Sequence, residues 1–317
     1  MTLFWRFLRR RRLVIAAWPL VVLWGMMGTA SPQAQPQASD DPSPHSEATL
    51  LSEQDAIVPG EPLTVALRLE MEAGWHSYWK NPGASGEPTS LDWALPAGYE
   101  TSGFQWPYPH QIEFGSLTSY GYSDEVFLLT TITPPDTLAP GTMVSLGGRA
   151  EWLICEEICL PAHADVEVTL PVTDEAPSDT EWAPAFEAAR AEHPKRVSNW
   201  SVGAGQSGDR YTLILGAPDA PRPDLEGVYF YAAETSVVDP GAPQPVTQNG
   251  DTYTIALRQS EYAEAPAERL RGVLVAPEGE SWTPDGRVRA MQVDVPVDTT
   301  LSVADAAGAG ASSAGGG

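Results

Sequence analysis

Two cysteines, Cys155 and Cys159, stand four residues apart in a chain of 317 residues that contains no others. They lie in the segment AEWLICEEICLP, which spans residues 150–161. In an extended strand, residues four apart are about 13 Å apart, at about 3.3 Å per residue. A disulfide requires Cα atoms within about 7 Å of each other. A bridge between these cysteines therefore requires the chain to turn or coil between them, and Glu156-Glu157 is the predicted bend.

Three kinds of chemistry are open to such a pair. A structural disulfide around so short a loop would stabilise the fold by only about 2 kcal/mol, against about 4.7 kcal/mol for a 100-residue loop. This small gain favours a redox-active pair over a structural one. The third kind is a metal site, because soft thiolates select Cu(I) and His163 follows Cys159 by four residues. An inert disulfide and a Cu(I) site made of Cys155, Cys159 and His163 remain as alternatives.

The acidic residues between the cysteines bear on their redox chemistry. A thiolate beside Glu156 and Glu157 is disfavoured by the like charge. A disulfide that is a strong oxidant owes its strength to a stabilised reduced form. If a Glu side chain points at sulfur, we predict that Glu156 and Glu157 make the dithiol a comparatively reducing donor. The alternative is that the two acids only form a solvated turn.

The amino terminus predicts export. Residues 1–30 combine a basic start, an apolar run and a small-residue exit, which is typical of a secretory signal peptide. If it is not cleaved, the segment 13–30 could instead anchor the protein in a membrane. Export to an oxidising compartment such as the periplasm permits a disulfide. The formal net charge of −24 argues against binding to nucleic acids, whose phosphates it would repel.

Apolar residues alternate with polar ones in many short runs, such as Leu63-Thr-Val-Ala-Leu-Arg-Leu69. This period of two, broken by Pro, Gly and Asn, predicts an all-β protein with an antiparallel β-sandwich. Ser178 and Glu181 resemble a capping box before a short connecting helix. The predicted segments are a signal peptide (1–30), a flexible lead-in (31–47), a redox sandwich (48–172), a helical connector (173–198), a second, smaller β domain (199–297) and an Ala/Gly/Ser-rich linker or tail (298–317).

Other motifs argue against competing chemistries. The chain has no Gly-x-Ser-x-Gly element for a serine hydrolase, and it has no phosphate-binding loop. Five tryptophans are predicted to be core aromatics: Trp75, Trp79, Trp93, Trp106 and Trp152. His76 is predicted to make a structural hydrogen bond.

Four sequence elements in a fixed order carry a family resemblance. They are GWHSYWKNPG (74–83), WPYP (106–109), GY (121–122) and WLIC followed by CLP (152–161). Together they resemble the N-terminal periplasmic domain of DsbD/ScsB-type thiol:disulfide interchange proteins, over about residues 48–172. The Cys-x3-Cys spacing is shorter than is usual in DsbD and is closer to that of the ScsB branch.

The resemblance implies an immunoglobulin-like sandwich that acts as one component of a protein-disulfide reductase system. Such a module receives electrons from a membrane electron-transfer protein of DsbD/CcdA type. It passes them to periplasmic thiol oxidoreductases or to thiol proteins of copper tolerance. By this resemblance Cys159 attacks the partner disulfide and Cys155 resolves the mixed disulfide. We expect a monomer without a cofactor.

The resemblance also implies a cap that shields the cysteines. Glu113-Phe114-Gly115 is similar to the acidic-aromatic element of that cap, and Tyr122 is close to a second aromatic position. We therefore predict Glu113, Phe114 and Tyr122 as shielding residues.

Overall fold

Alternating apolar and polar residues form β-strands along most of the chain. The computed structural model describes residues 45–217 and 223–300. The predicted leader, most of the lead-in and the tail beyond residue 300 lie outside the described residues. None of the helices within the described ranges has the length and apolar character needed to cross a membrane.

The first β region contains ten strands. They are β1 (Ser46–Ser52), β2 (Leu63–Met71), β3 (His76–Gly83), β4 (Ser90–Trp93), β5 (Glu100–Thr101), β6 (His110–Phe114), β7 (Leu117–Ser123), β8 (Glu125–Thr133), β9 (Met143–Cys155) and β10 (Cys159–Pro171). One sheet has the order β1-β2-β8-β5, and the other has the order β10-β9-β3-β7-β6 with β4 paired to β9. All pairings within these two sheets are antiparallel.

The core of this region lies between the two sheets. Leu67, Leu69 and Leu128 of the first sheet share one apolar cluster with Trp152 and Ile154 of the second. Because side chains alternate across a strand, every second residue of β9 enters this core while its neighbours lie on the outer face of the sheet. This alternation determines on which face the cysteines lie.

A short helix, α1 (Ala183–Ala191), follows the sandwich. Its Phe186 and Ala189 pack with Phe127 and Leu129 on the outer face of the four-stranded sheet. The N-cap is Trp182, which makes no side-chain capping bond, so the capping box predicted at Ser178 and Glu181 is wrong. Proline at the start of the helix supports its beginning instead, because its missing N–H has no helical partner there in any case.

The second β region forms one seven-stranded sheet. Its strands are β11 (Ser201–Ser207), β12 (Arg210–Gly216), β13 (Tyr229–Ala232), β14 (Val246–Asn249), β15 (Thr252–Arg258), β16 (Arg269–Val275) and β17 (Ala290–Asp298). Their order is β13-β16-β17-β11-β12-β15-β14, and the pairing of β11 with β17 is parallel. A separate apolar cluster, which includes Tyr211, Phe230 and Leu257, forms its core.

The two β regions also share packing. Phe230 belongs to the core of the second region, whereas its neighbour Tyr231 belongs to the core of the first. Adjacent residues of β13 therefore face different cores, as strand geometry requires. The predicted fold class, an all-β immunoglobulin-like sandwich followed by a second β region and joined by a short helix, is confirmed. The domain boundaries at residues 172 and 198 stay predictions.

Candidate functional site

The two cysteines close the hairpin formed by β9 and β10. Cys155 ends β9, Cys159 begins β10, and the two are direct cross-strand partners. They form a disulfide with their Cα atoms 4.2 Å apart. The chain reverses through residues 156–158, where the Glu156 N–H donates to the Ile158 carbonyl at 3.1 Å. Since Trp152 and Ile154 enter the sandwich core, the disulfide lies on the outer face of the sheet.

The two halves of the disulfide differ in exposure. Cys155 is only 1% exposed, whereas Cys159 belongs to the exposed residues. A thiol from another molecule can therefore reach Cys159 far more readily than Cys155. Cys159 is therefore the accessible half of the bridge, and the rate of thiol–disulfide exchange depends on which sulfur can be attacked.

A tyrosine that sequence reasoning did not select contacts both sulfurs. The Tyr78 hydroxyl donates to Cys155 Sγ at 3.1 Å and lies 3.4 Å from Cys159 Sγ. Burial raises the pKa of Tyr78, although its hydrogen bond with Ser85 opposes part of that shift. The hydroxyl therefore stays protonated at neutral pH and can donate to a thiolate, which would stabilise the reduced, ionised form.

Strand pairing explains how Tyr78 reaches the disulfide. His76 of β3 is the direct partner of Cys155 on β9, so the two residues share the outer face of the sheet. Tyr78 follows His76 by two residues and therefore lies on the same face. The rings of His76 and Tyr78 meet edge to face at 5.5 Å.

His76 itself is a buried neutral neighbour. It is 7% exposed, and burial lowers its pKa below the ordinary histidine value. At neutral pH its ring therefore carries no positive charge that could stabilise a thiolate. Among the described contacts of the sulfurs, the Tyr78 hydroxyl is the group that can do so.

A tight segment after β3 covers the Tyr78 ring. A Cβ atom on Gly86 would lie 2.4 Å from Tyr78 Cε1, and the φ of Gly86 is +113°. Both the contact and the backbone conformation favour glycine at this position. No local feature of the sequence indicates this contact, because it depends on how the chain folds back after β3.

The two predicted acidic residues lie in the turn and are exposed. The Glu156 carboxylate packs against Gly74: a Cβ on Gly74 would lie 2.8 Å from Glu156 Oε1. Gly74 precedes β3, so Glu156 reaches across to the strand that carries His76 and Tyr78. The influence of Glu156 and Glu157 on the sulfurs stays a prediction.

The structure divides the three predicted shielding residues between two faces. Gly121 of β7 is the partner of Tyr78 and therefore lies on the disulfide face. Leu117 is four residues before Gly121 on the same strand, so alternation puts it on that face too. Its partner Phe114, at the tip of the β6–β7 hairpin, shares the face. Phe114 is 46% exposed. By strand length, this tip lies about 20 Å along β7 from Ser123, the partner of His76.

Glu113 and Tyr122 lie on the other face of the same hairpin. Glu113 accepts hydrogen bonds from the Thr118 hydroxyl at 3.0 and 3.1 Å. Tyr122 is 5% exposed, and its hydroxyl donates to the Pro107 carbonyl at 2.8 Å. Of the three residues, Phe114 is therefore the one that shares a face with the disulfide.

His163 is not brought to the sulfurs. It lies four residues along β10 from Cys159, about 13 Å of extended strand, and pairs with Glu151. Within residues 45–217 and 223–300, no group of three or more His, Cys, Asp or Glu side chains is arranged to hold a metal ion. The Cu(I) site that includes His163 therefore lacks its third ligand in this arrangement.

Comparison with known proteins identifies the first β region. Residues 47–171 match the family model described as "Thiol:disulfide interchange protein DsbD, N-terminal". This match covers the whole sandwich, including both cysteines and Tyr78. The comparison with curated proteins gave no match.

A solved structure agrees with this fold. The N-terminal periplasmic domain of ScsB from Proteus mirabilis superposes with a TM-score of 0.54 at 17% identity, covering 79% of this chain and 92% of that one. A protein of unknown function from Porphyromonas gingivalis W83 matches at 12% identity over 80% of this chain and 99% of its own, with a TM-score of only 0.23. The ScsB likeness extends beyond the sandwich, because its coverage exceeds the length of the first β region.

Proposed function

Since residues 47–171 form a domain of the DsbD N-terminal type, we propose that this protein transfers reducing equivalents to other proteins by thiol–disulfide exchange at Cys155 and Cys159. The observation that carries the proposal is the asymmetry of the disulfide. Cys155 is buried, Cys159 is exposed, and the Tyr78 hydroxyl contacts both sulfur atoms. An inert staple needs neither the exposed half nor a donor on the sulfurs.

Reduction of the bridge begins at its exposed half. A donor thiolate attacks Cys159 Sγ, the Cys155–Cys159 bond breaks, and Cys155 leaves as a thiolate beside the Tyr78 hydroxyl. A second donor thiolate then attacks the donor sulfur of this mixed disulfide. The donor leaves as a disulfide. The two cysteines together have received two electrons and, once both thiolates are protonated, two protons.

Delivery to the acceptor runs through the same sulfur. The Cys159 thiolate attacks the acceptor disulfide and forms a mixed disulfide, while one acceptor sulfur leaves as a thiolate. Cys155 then attacks Cys159 Sγ, which releases the second acceptor sulfur and restores the bridge. The acceptor gains the two electrons that the pair loses.

The proposed function includes a cellular compartment and redox partner proteins. The solved ScsB domain is described as periplasmic, and the predicted leader agrees with export to that compartment. The acceptors would be periplasmic thiol oxidoreductases, and the donor would be a membrane electron-transfer protein of DsbD/CcdA type. In this role the chain is a monomeric component of a protein-disulfide reductase system.

We also propose that the tip of the β6–β7 hairpin limits access to the disulfide face. The support is the register that puts Phe114 and Leu117 on that face, both of them exposed. Glu113 and Tyr122 would then act from the opposite face, by holding the hairpin through Thr118 and Pro107.

Trapping tests the proposed roles of the cysteines. A reduced Cys155→Ser variant mixed with a thioredoxin-fold protein in its disulfide form should accumulate a mixed disulfide through Cys159, because no resolving thiol remains. The matched Cys159→Ser variant should accumulate little, because Cys155 is buried. Equal trapping by the two variants, or none by either, would refute the proposed exchange.

A further inference from the structure

One buried side chain of β3, the strand that carries Tyr78, makes hydrogen bonds to the second β region. Asn81 is 3% exposed. Its Nδ2 donates to the Ala232 carbonyl at 2.8 Å and to the Glu234 carbonyl at 3.1 Å. Its Oδ1 accepts from the Gly83 N–H at 3.1 Å. The Asn81 amide thus links two carbonyls of the second region to the backbone of Gly83 in β3.

Asn81 lies where β3 departs from regular pairing. The register of β3 with β7 shifts between Tyr78 and Gly83. An irregular strand lacks some of the ladder bonds that would otherwise fix its backbone. The Asn81 bonds supply a replacement, and they come from outside the sandwich.

The segment after Asn81 is also held from the other side. The Ala84 N–H donates to the Thr118 carbonyl at 3.1 Å. Gly83 has a φ of +80°, and a Cβ there would lie 2.9 Å from the same carbonyl. The exit from β3 is therefore fixed between β7 and the second β region.

This fixed segment leads directly to the disulfide. Gly86 packs against the Tyr78 ring, and the Tyr78 hydroxyl contacts both sulfurs. A continuous series of contacts therefore runs from the carbonyls of Ala232 and Glu234 to the cysteines. Each step is a hydrogen bond, a short covalent segment or a packed ring.

We propose that Asn81 is a positioning residue through which the second β region keeps the Tyr78 hydroxyl on the sulfurs of Cys155 and Cys159. The biological purpose of this arrangement rests on the proposed function, whereas the positioning itself does not. The second β region, which contains no cysteine, thus has the role of holding residues 83–86 in place. Without the Asn81 bonds, this segment gains freedom and the Tyr78 hydroxyl no longer has a fixed position.

The reactivity of the reduced thiols reports on this positioning. A hydroxyl that donates to a thiolate favours the ionised form and lowers the pKa of the thiol. Hydrogen bonds to charged groups are among the stronger ones in proteins. Loss of the Asn81 anchor should therefore raise the thiol pKa and slow alkylation at neutral pH.

The decisive experiment is a double-mutant cycle on the full chain. The rate of alkylation of reduced protein by iodoacetamide is measured across pH for the wild type, Asn81→Ala, Tyr78→Phe and the double variant. Asn81→Ala should slow alkylation at neutral pH by about threefold to tenfold. The upper end of this range corresponds to the loss of one hydrogen bond to a charged group. In the Tyr78→Phe background the same change should have little further effect, because contacting residues are coupled.

Gln244→Ala is the matched control. Gln244 accepts from the Phe230 N–H at 2.7 Å and donates to the Phe230 carbonyl at 3.1 Å, so it also ties a side-chain amide to β13. Its loss should cost similar stability and leave thiol reactivity unchanged. If Asn81→Ala does not fold, Asn81→Ser, which keeps one donor, should show a smaller shift of the same sign.

Three outcomes would overturn the inference. They are unchanged thiol reactivity in Asn81→Ala or its serine substitute, an equal effect in the Tyr78→Phe background, or an equal effect from Gln244→Ala. None of these measurements uses a protein partner. A failure of exchange with partner disulfides would therefore refute the proposed function while the cycle still decided the role of Asn81.

Discussion

Two hairpins of this protein close in different ways. In the second β region, β11 and β12 are joined by a tight turn containing Gly208, whose φ is +60°, and no covalent bridge supports their seven paired positions. In the first region, β9 and β10 share thirteen paired positions and nevertheless carry the disulfide at their turn. A longer ladder has less need of a staple, so the bridge of the first hairpin is better explained by chemistry than by stability.

Strand β3 and the apolar core of the second region also differ in how their buried polar groups are satisfied. In the second region the indole N–H groups of Trp200 and Trp282 donate to backbone carbonyls at 3.0 and 2.9 Å. In the first, Ser77 Oγ and Trp79 Nε1, on either side of Tyr78, are buried without a hydrogen-bond partner among the described residues. Unsatisfied buried groups are costly. The strand that contacts the disulfide is therefore less optimised for stability than the core of the second region.

The strongest test of this comparison removes the bridge altogether. Replacing both cysteines with serine should abolish disulfide exchange completely, because no sulfur remains. The fold should persist, and the free energy of unfolding should fall by only about 2 kcal/mol, the loop-closure value for so short a loop. Urea denaturation followed by tryptophan fluorescence measures this change. A loss of more than about 5 kcal/mol, or a protein that no longer folds, would identify the bridge as structural.

The next test separates Tyr78 from a tyrosine of the same region whose hydroxyl bonds elsewhere. Tyr78→Phe should raise the thiol pKa and slow alkylation of the reduced protein at neutral pH by about tenfold, the effect of one hydrogen bond to a charged group. Tyr120→Phe, which loses the bond to the Tyr229 hydroxyl, should leave alkylation unchanged. Equal alkylation profiles of the two variants would remove Tyr78 from the site.

Glycines in the two regions allow a comparison of close packing with backbone strain. Gly86→Ala brings a Cβ against the Tyr78 ring, whereas Gly250→Ala, at a φ of +61°, meets no atom within 4 Å. Both variants carry the cost of a positive φ. Gly86→Ala should cost about 1–3 kcal/mol more from overpacking and should also slow alkylation of the thiols. If thermal unfolding shows equal losses for the two variants, the Gly86 contact does not constrain Tyr78.

The smallest expected effect concerns shielding. Phe114→Ala should speed the reduction of the disulfide by a small thiol about twofold to threefold, while stability changes by less than about 0.5 kcal/mol, as is usual at the surface. Met143→Ala is the control, because Met143 is equally apolar, 62% exposed and at the far end of β9. Stopped-flow reduction rates that are the same in both variants would contradict a shielding role for Phe114.

Local constraints made part of the site predictable from the sequence. The spacing of Cys155 and Cys159 predicts a bend if they are bridged, because disulfide geometry depends only on those residues and the chain between them. The all-β class followed from the period-two pattern of apolar residues. The family resemblance supplied the order of the motifs and the immunoglobulin-like form of the sandwich.

Long-range register decided what the sequence could not show. Tyr78 meets the sulfurs because His76 pairs with Cys155, and no local pattern fixes which residues of two distant strands pair. Asn81 and Gly86 depend on contacts made after the chain has folded back. The division of the predicted cap is different: Glu113 and Phe114 are neighbours in a strand, so alternation alone could have predicted that they face opposite ways.

The reduction potential of the wild-type pair tests the central claim most directly. The protein is equilibrated with thiol–disulfide buffers of graded potential, and the free cysteines are counted by alkylation and mass spectrometry. A redox carrier with acidic residues in its turn should titrate reversibly, at a potential between that of DsbA, about −120 mV, and the limit typical of structural disulfides, about −300 mV. A bridge that resists reduction below about −300 mV until the protein unfolds would contradict the account.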